Sequence, residues 1–553
     1  MVGASRSVGR ALQPLVAVAA LATAVATARA QVTDAPGTLN GDGLPQWVAS
    51  WSPLNYLADL PRELPGRAAT FSELLLMPAP RIGVFWTAGN PAGLPFEVGD
   101  EHVQFGFGLL NASGDCRRPL DAGKVVRRRF SGLGWGELGE RGGVIGRAVV
   151  EQTNLKDGAF ADVLLPYGSN PFIVMDTTGH ELGRTAARLE GAGGWRVGRL
   201  GLGLSLGYEA AETRTVASPV PRLNRGSATG VAGGVSHELL GDGRLRLAVA
   251  GRWRRAVERI QVTLVAAQTR LYQLEGYAEP VPLDPGSRYD RRLEREAWGF
   301  DLAVAGRALD GSFVGFARTE EMQEIQFNRM YESDPPHDRW DASGWTVGAA
   351  AQRPFAGERL LVTGWVRYSV LEGETHRWDI DDVTFRATEK SFKADLELRV
   401  LALQGWEAAG HLSLVRDYRT RLDILGRLRS VIHDWQPGAG IEVVRSLGPR
   451  FALSAGALLA GYAPSGGIPN PSFMGPVSLQ YVAPELTLQV TGGRITKFRL
   501  GGRWQATAGL AFWAQGEYAS LTPTEGAVTI PMEPTGDRTG WTLDFGALLV
   551  PGP

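Results

Sequence analysis

Apolar and polar residues change places at every second position, and the pattern recurs from about residue 100 to the end of the chain. Phe392, Ala394, Leu396, Leu398 and Val400 alternate with Lys393, Asp395, Glu397 and Arg399. Leu200, Leu202, Leu204, Leu206 and Tyr208 alternate with Gly201, Gly203, Ser205, Gly207 and Glu209. The same rhythm holds in Leu245–Trp253, Trp298–Ala305 and Trp541–Leu549. Only an extended strand sends successive side chains to opposite faces, so these runs commit the chain to strands with one apolar and one polar or small face. They are long. An ordinary strand averages about 5–6 residues, whereas a strand that crosses a bilayer needs about 9–11.

The connections alternate too. Short turns fall near Val197–Arg199, Gly241–Gly243, Asp310-Gly311, Ala356-Gly357, Gln404-Gly405 and Gly448-Pro449. Longer polar stretches lie between them, at Val216–Gly226, Ala278–Leu293, Arg329–Asp341, Glu372–Glu389, Arg421–His433 and Ala463–Gln480. Short turns at one end and long loops at the other are the asymmetry of bacterial outer-membrane barrels. The predicted fold is therefore all-β: a transmembrane antiparallel up-and-down β-barrel. Three strands (His102–Leu110, Val125–Gly136, Val144–Leu155) precede fifteen more between Arg184 and Val550, giving about 18 with a range of 16 to 20. An even count puts both ends of the barrel on the periplasmic side. Val262–Gln273 reads as an extension beyond the membrane, and no turn can be placed within Pro484–Gly502. A soluble propeller would repeat a motif in each blade, and the sequence has no such repeat.

Residues 1–30 read as a signal peptide: Arg6 and Arg10, then apolar Ala11–Val25, then Ala28-Arg29-Ala30 as a cleavage pattern. Residues 31–100 form an N-terminal plug or periplasmic segment, and 101–553 form the barrel. With 72 glycines and 16 tryptophans, the chain is rich in the residues that tight turns and membrane interfaces need. Trp195 and Trp406 flank short turns, while Trp345, Trp435, Tyr462 and Trp541 stand beside long loops. A formal charge of −1 offers no basic footprint for nucleic acid. The one cysteine, Cys116, has no internal partner for a disulfide.

If the apolar face meets lipid, the other face lines the lumen. The inward charges are Arg246, Arg252, Arg254, Asp301, Arg307, Arg367, Lys393, Asp395, Glu397, Arg399, Arg503, Glu517 and Asp544. A selectivity lining uses rings of one sign, and these signs are mixed, so a ladder of cross-strand pairs accounts for them as well. Arg128 points away from Arg127 and Arg129, which places it near a strand end, since Arg at mid-membrane costs about 2–4 kcal/mol. Before the first strand, Trp86–Leu94 is the most distinctive stretch. A barrel of this size has an interior too wide for its own side chains to fill, so the segment can fold into the mouth as a plug or pack on the rim.

The Gly89-Asn90-Pro91-Ala92-Gly93-Leu94 stretch is similar to a motif near the start of an uncharacterised, domain-of-unknown-function family of large bacterial outer-membrane β-barrels. So is Tyr167–Phe172 with Asp176 and the strand pair that follows to about Thr215. The resemblance covers most of the chain after the signal and implies an outer-membrane location with no assigned activity. Asn90, Pro91 and Ala92 also resemble the Asn-Pro-Ala of the N-terminal hatch in long-chain fatty-acid transporters, whose barrel is smaller. Outer-membrane barrels commonly end on an aromatic residue read by the barrel-assembly machinery. Here the last residues are Leu548-Leu549-Val550-Pro551-Gly552-Pro553, and Phe545 is the nearest aromatic.

The seven histidines show no metal-ligand spacing, and the chain has no G-x-S-x-G elbow. No catalytic residue, metal or cofactor is expected. Asp379, Asp381 and Asp382 could hold calcium but lack the glycine and final glutamate of an EF-hand loop. Glu320, Glu321 and Glu324 are a second acidic group without an assigned role. The expected partners are outer-membrane lipid and the assembly machinery. The expected function is a channel or transporter for small solutes. The alternatives are an outer-membrane scaffold that binds partners through its long loops and, less favoured, a barrel-embedded hydrolase.

Overall fold

Eighteen long strands carry the alternation, and each pairs with the next. The computed structural model describes residues 39–40, 44–45, 90–97 and 102–549. Within the last range 116–121, 162–171, 217–221, 242, 264–270, 276–280, 283–287, 309–310, 330–335, 356–358, 404, 468, 470–491 and 525–535 lie outside the description. The expected signal peptide, Cys116 and most of residues 31–89 therefore fall outside it as well.

The strands are β1 (His102–Gly114), β2 (Lys124–Glu137), β3 (Gly142–Ala161), β4 (Phe172–Val197), β5 (Leu200–Thr215) and β6 (Arg222–Leu240). They continue as β7 (Leu245–Thr263), β8 (Arg288–Ala308), β9 (Gly311–Arg329), β10 (Asp338–Phe355), β11 (Leu360–Arg377) and β12 (Asp382–Leu403). The last six are β13 (Trp406–Asp423), β14 (Leu428–Ser446), β15 (Phe451–Tyr462), β16 (Gly493–Thr507), β17 (Leu510–Pro523) and β18 (Arg538–Leu549). All neighbours are antiparallel, and β18 returns to β1 from Arg538↔Gly114 to Leu549↔Val103. The ring is closed, so every strand has a partner on both sides, as hydrocarbon requires of a spanning backbone. The count and the up-and-down order match the sequence expectation.

One end carries the tight connections. Gly198-Arg199 joins β4 to β5 with Gly198 at φ +61°, a left-handed conformation that glycine adopts without strain. Ala508-Gly509 joins β16 to β17, so the turn lies beyond Pro484–Gly502, whose residues 493–502 are strand. At the other end two expected loops turn out to be strand. Glu372–Glu389 runs in ladder register to Arg377↔Asp382, and Arg421–His433 to Asp423↔Leu428. Beyond the membrane both faces of a hairpin are wet, so the alternation fades while the backbone hydrogen bonds persist. The extension expected beyond Val262 is a separate strand, Leu271–Glu275, which folds back onto Phe172–Asp176 at the start of β4.

The exposed large side chains fall on one face of each strand: Leu202, Leu204 and Leu206 on β5, Trp298 and Phe300 on β8, Leu396 and Leu398 on β12. These make the outer, apolar surface. The opposite face is inward and holds buried charged groups among alanines such as Ala248, Ala303 and Ala305. Arg538 secures the closing seam. It is buried, and its guanidinium donates to the carbonyl oxygens of Ala122 (3.2 Å) and Gly114 (3.5 Å) across β18, β1 and the start of β2. Arg538→Ala removes these charge-assisted bonds, and the expected loss is about 2–3 kcal/mol. The check is a lower temperature at which the protein loses its fast-migrating folded band on a gel.

Candidate functional site

Asn90–Phe96 lies against the inward wall near the tight-turn end. Asn90 precedes a single 3-10 turn, Pro91–Gly93, which runs into a helical turn at Leu94–Glu97. The Asn90 side chain accepts from the Ala92 N–H at 2.9 Å, capping a turn that Pro91 already biases by its fixed φ. Ala92, fully buried, then offers its carbonyl oxygen to Ser236 Oγ on β6 at 2.7 Å. The segment touches β4, β5, β6 and β7, and its helical turn also meets β3.

The wall has been thinned to receive it. A Cβ on Gly194 of β4 would stand 2.5 Å from Pro95 Cδ, and one on Gly201 of β5 would stand 2.5 Å from the Ala92 oxygen. On Gly203 it would fall inside the backbone of Pro91 and Ala92, and on Gly234 of β6 inside the Asn90 side chain. Four inward glycines therefore form a cradle that only a wall without side chains can supply. Phe96 is gripped by charge: the guanidinium carbons of Arg196 and Arg246 stand 5.1 Å and 4.8 Å from its ring centroid. Glu238, buried on β6, lies within 4.0 Å of both arginines and accepts the N–H of Gly243 in the β6–β7 turn. Phe96→Ala leaves the two guanidiniums without a ring and is expected to weaken seating by about 1–2 kcal/mol. The check is faster cleavage of the 90–97 region by a protease added to detergent-solubilised protein.

All thirteen charges singled out in the sequence lie on inward strand positions, opposite the apolar surface. They form several networks. Arg252, Arg254 and Asp301 belong to the densest, which also takes in Arg318 and Glu320. Arg318 Nε donates to Asp301 at 2.6 Å, while Arg252 reaches Asp301 at 3.8 Å and Glu320 at 3.3 Å. Arg254 meets Glu320 at 3.5 Å. Lys393 and His411 share Asp395, at 3.7 Å and 3.2 Å, and Lys393 also lies over the Trp365 ring. Arg399 pairs with Glu407, and Glu517 with Lys497 and Arg499. Arg307 is exposed at the tight-turn rim. Glu397 and Asp544 are inward on β12 and β18, and Arg367 and Arg503 on β11 and β16. The signs alternate along the wall, so these charges meet one another across the strands.

The two acidic groups resolve differently. Glu320 joins the network above, and Glu324 pairs with Arg295, while Glu321 faces outward. Of the three aspartates near the β11–β12 tip, Asp379 is held by Arg377 (Nε–Oδ1 2.9 Å) and Asp382 accepts the Val383 N–H at 2.7 Å. Asp381 carries the turn at φ +49°. The hydrogen bond from Arg377 keeps the Asp379 carboxyl below the usual carboxylate range. All three serve the turn. Sequence reasoning missed Phe96, Arg196, Glu238, Ser236 and the four cradle glycines. The available signal was the spacing of Gly201 and Gly203, two inward positions in succession without a side chain.

The chain matches the family of unknown function DUF6850 over residues 91–548. It belongs to that family. The match opens at Pro91, so it takes in the seated turn as well as the whole ring. No curated protein matches the chain. Among solved structures it is similar to the copper transporter OprC, at 11% identity over 82% of this chain and 81% of that one, with a TM-score of 0.37. It is also similar to BauA, the ferric preacinetobactin receptor of Acinetobacter baumannii, at 8% identity over 81% and 80% of the two chains, with a TM-score of 0.36. The CymD monoaromatic hydrocarbon channel matches at 11% identity over 86% and 94%, with a TM-score of 0.29. Likenesses this remote carry nothing about cargo.

Proposed function

We propose that this DUF6850 member is exported by residues 1–30 to the bacterial outer membrane and acts there as a channel or transporter for small solutes. Residues 31–100 serve as its plug. The observation that carries the reading is the cradle: Asn90–Phe96 sits on the lumen side of the wall, against glycines at which a Cβ would collide with it. An 18-stranded ring leaves an interior of porin width, and a segment anchored inside it is placed to obstruct passage. The mixed-sign walls hold the ring's shape and keep the passage polar.

Planar-bilayer recordings of the purified protein test this. The intact protein is expected to give small or rare discrete openings, and deletion of residues 31–100 to raise the conductance severalfold. Silent bilayers with both proteins, under conditions where both migrate as folded barrels, would refute the pore.

A further inference from the structure

We propose that an outward patch of Lys390, Arg416, Tyr418, His433 and Trp435 binds the phosphorylated head of an outer-leaflet glycolipid. The inference rests on the membrane placement of the ring with its long connections facing outward, and not on the lumen being open.

The five residues form two rows on β12, β13 and β14. Lys390, Tyr418 and His433 are successive ladder partners, and Arg416 pairs with Trp435 two positions nearer the tight-turn end. Their outward direction follows from alternation. Asp417 and Gln436 are buried and Asp434 is half-buried on the inward face, while Lys390, Arg416 and Trp435 are exposed. Lys390 Nζ stands 5.7 Å from the Tyr418 ring centroid, and the Arg416 guanidinium carbon stands 4.7 Å from that of Trp435. The Tyr418 and His433 rings are 4.8 Å apart. No carboxylate lies within ion-pair reach of Lys390 or Arg416 among the described residues. The nearest outward carboxylate in the ladder, Glu372, stands opposite Thr388, one row further out. Two cations are thus laid flat on aromatic rings with their charge unanswered by the protein.

Their height fits the lipid phosphates. Trp406 and Arg445 pair on the same two strands, ten positions below Arg416 and Trp435, with the guanidinium carbon of Arg445 4.4 Å from the Trp406 centroid. Ten residues at about 3.4 Å each, tilted by about 40°, rise about 26 Å, close to the ~25 Å apolar band of such barrels. The interval is apolar: Leu412, Leu414, Ile441 and Val443 face outward there. The two cation–aromatic pairs therefore bracket the hydrocarbon, each at the level of a leaflet's phosphates. At the tight-turn end the pairs are single, Arg445 with Trp406 and Arg353 with Phe355, as a one-phosphate lipid needs. At the outer end two cations stand diagonally on adjacent strands, each over its own aromatic ring. That arrangement suits a sugar headgroup bearing more than one phosphate.

Native mass spectrometry of the full chain in non-ionic detergent, with added diphosphoryl lipid A, monophosphoryl lipid A or phosphatidylglycerol, reads the binding directly. Wild-type protein is expected to retain diphosphoryl lipid A in preference to the other two. The Lys390→Ala, Arg416→Ala variant should lose at least about tenfold in retention. The Arg353→Ala, Arg445→Ala variant should lose none, and Lys390→Arg should bind as wild type. If the double variant does not show folded gel migration, Lys390→Gln alone decides by the same readout. Equal loss in both pairs of variants, equal retention of phosphatidylglycerol at the outer patch, or no retention by wild type would overturn the proposal. Conductance should be the same in the lipid variants as in wild type, so failure of the pore reading leaves this assay intact.

Discussion

Gly203→Val is expected to unseat Asn90–Phe96 while leaving the ring closed. Its Cβ would fall on the backbone of Pro91 and Ala92, where no side-chain rotation offers relief. Overpacking of this kind costs about 1–3 kcal/mol, which shifts the seating equilibrium by about five- to 150-fold. The loss is one-sided, because Gly203 pairs with Gly194 and Gly234 across the ladders and valine is a good strand residue. The barrel should therefore keep its folded migration while single-channel conductance rises toward that of the protein lacking residues 31–100. Gly233→Ala is the control. Gly233 faces outward, and a Cβ there meets only a carbonyl oxygen at 3.9 Å. Conductance unchanged by Gly203→Val, with that deletion still raising it, would show that the seated turn is not the part that obstructs.

Asp301→Ala is expected to cost about 3–5 kcal/mol, the usual loss when one partner of a buried ion pair is removed. Asp301 is only 4% exposed at its side chain and stands between Arg252 and Arg318 on β7 and β9. Without it the two guanidiniums confront each other across β8. Gly299 leaves the room into which the Arg252 side chain folds. The measurement is the temperature at which folded migration is lost, compared with that of Asp301→Ala combined with Arg318→Met. The combined variant should recover part of the loss, because it removes the excess charge as well as its partner. No recovery would mean that the energy lies in the packing of the Asp301 side chain and not in its charge.

The ring was legible in the residues because alternation survives wherever one face meets lipid and the other meets polar groups. Leu396 and Leu398 against Asp395 and Glu397 can be read in only one way. Which charges meet was not legible. Asp301 and Arg318 come together only when the β8–β9 register is fixed, and a slip of one residue would turn them to opposite faces. The cradle was hidden for a different reason. Gly201, Gly203 and Gly234 look like ordinary small lining residues until the backbone of Pro91 and Ala92 is laid across them. Glu372–Glu389 misled because charge on both faces signals water, and water is compatible with a paired strand.

With the long connections facing outward, as proposed, those paired tips change what the cell's surroundings meet. From the Lys390 row to Asp382, β12 climbs about 20 Å further, laddered to β11 as far as Asp382 with one register shift at Thr375/His376, and to β13 as far as Phe385. A surface protease needs several residues of unpaired, pliable chain, and on this flank it finds only the four-residue tips 378–381 and 424–427. This side of the mouth is thus a stiff parapet, slow to be cut and slow to exchange its amide protons.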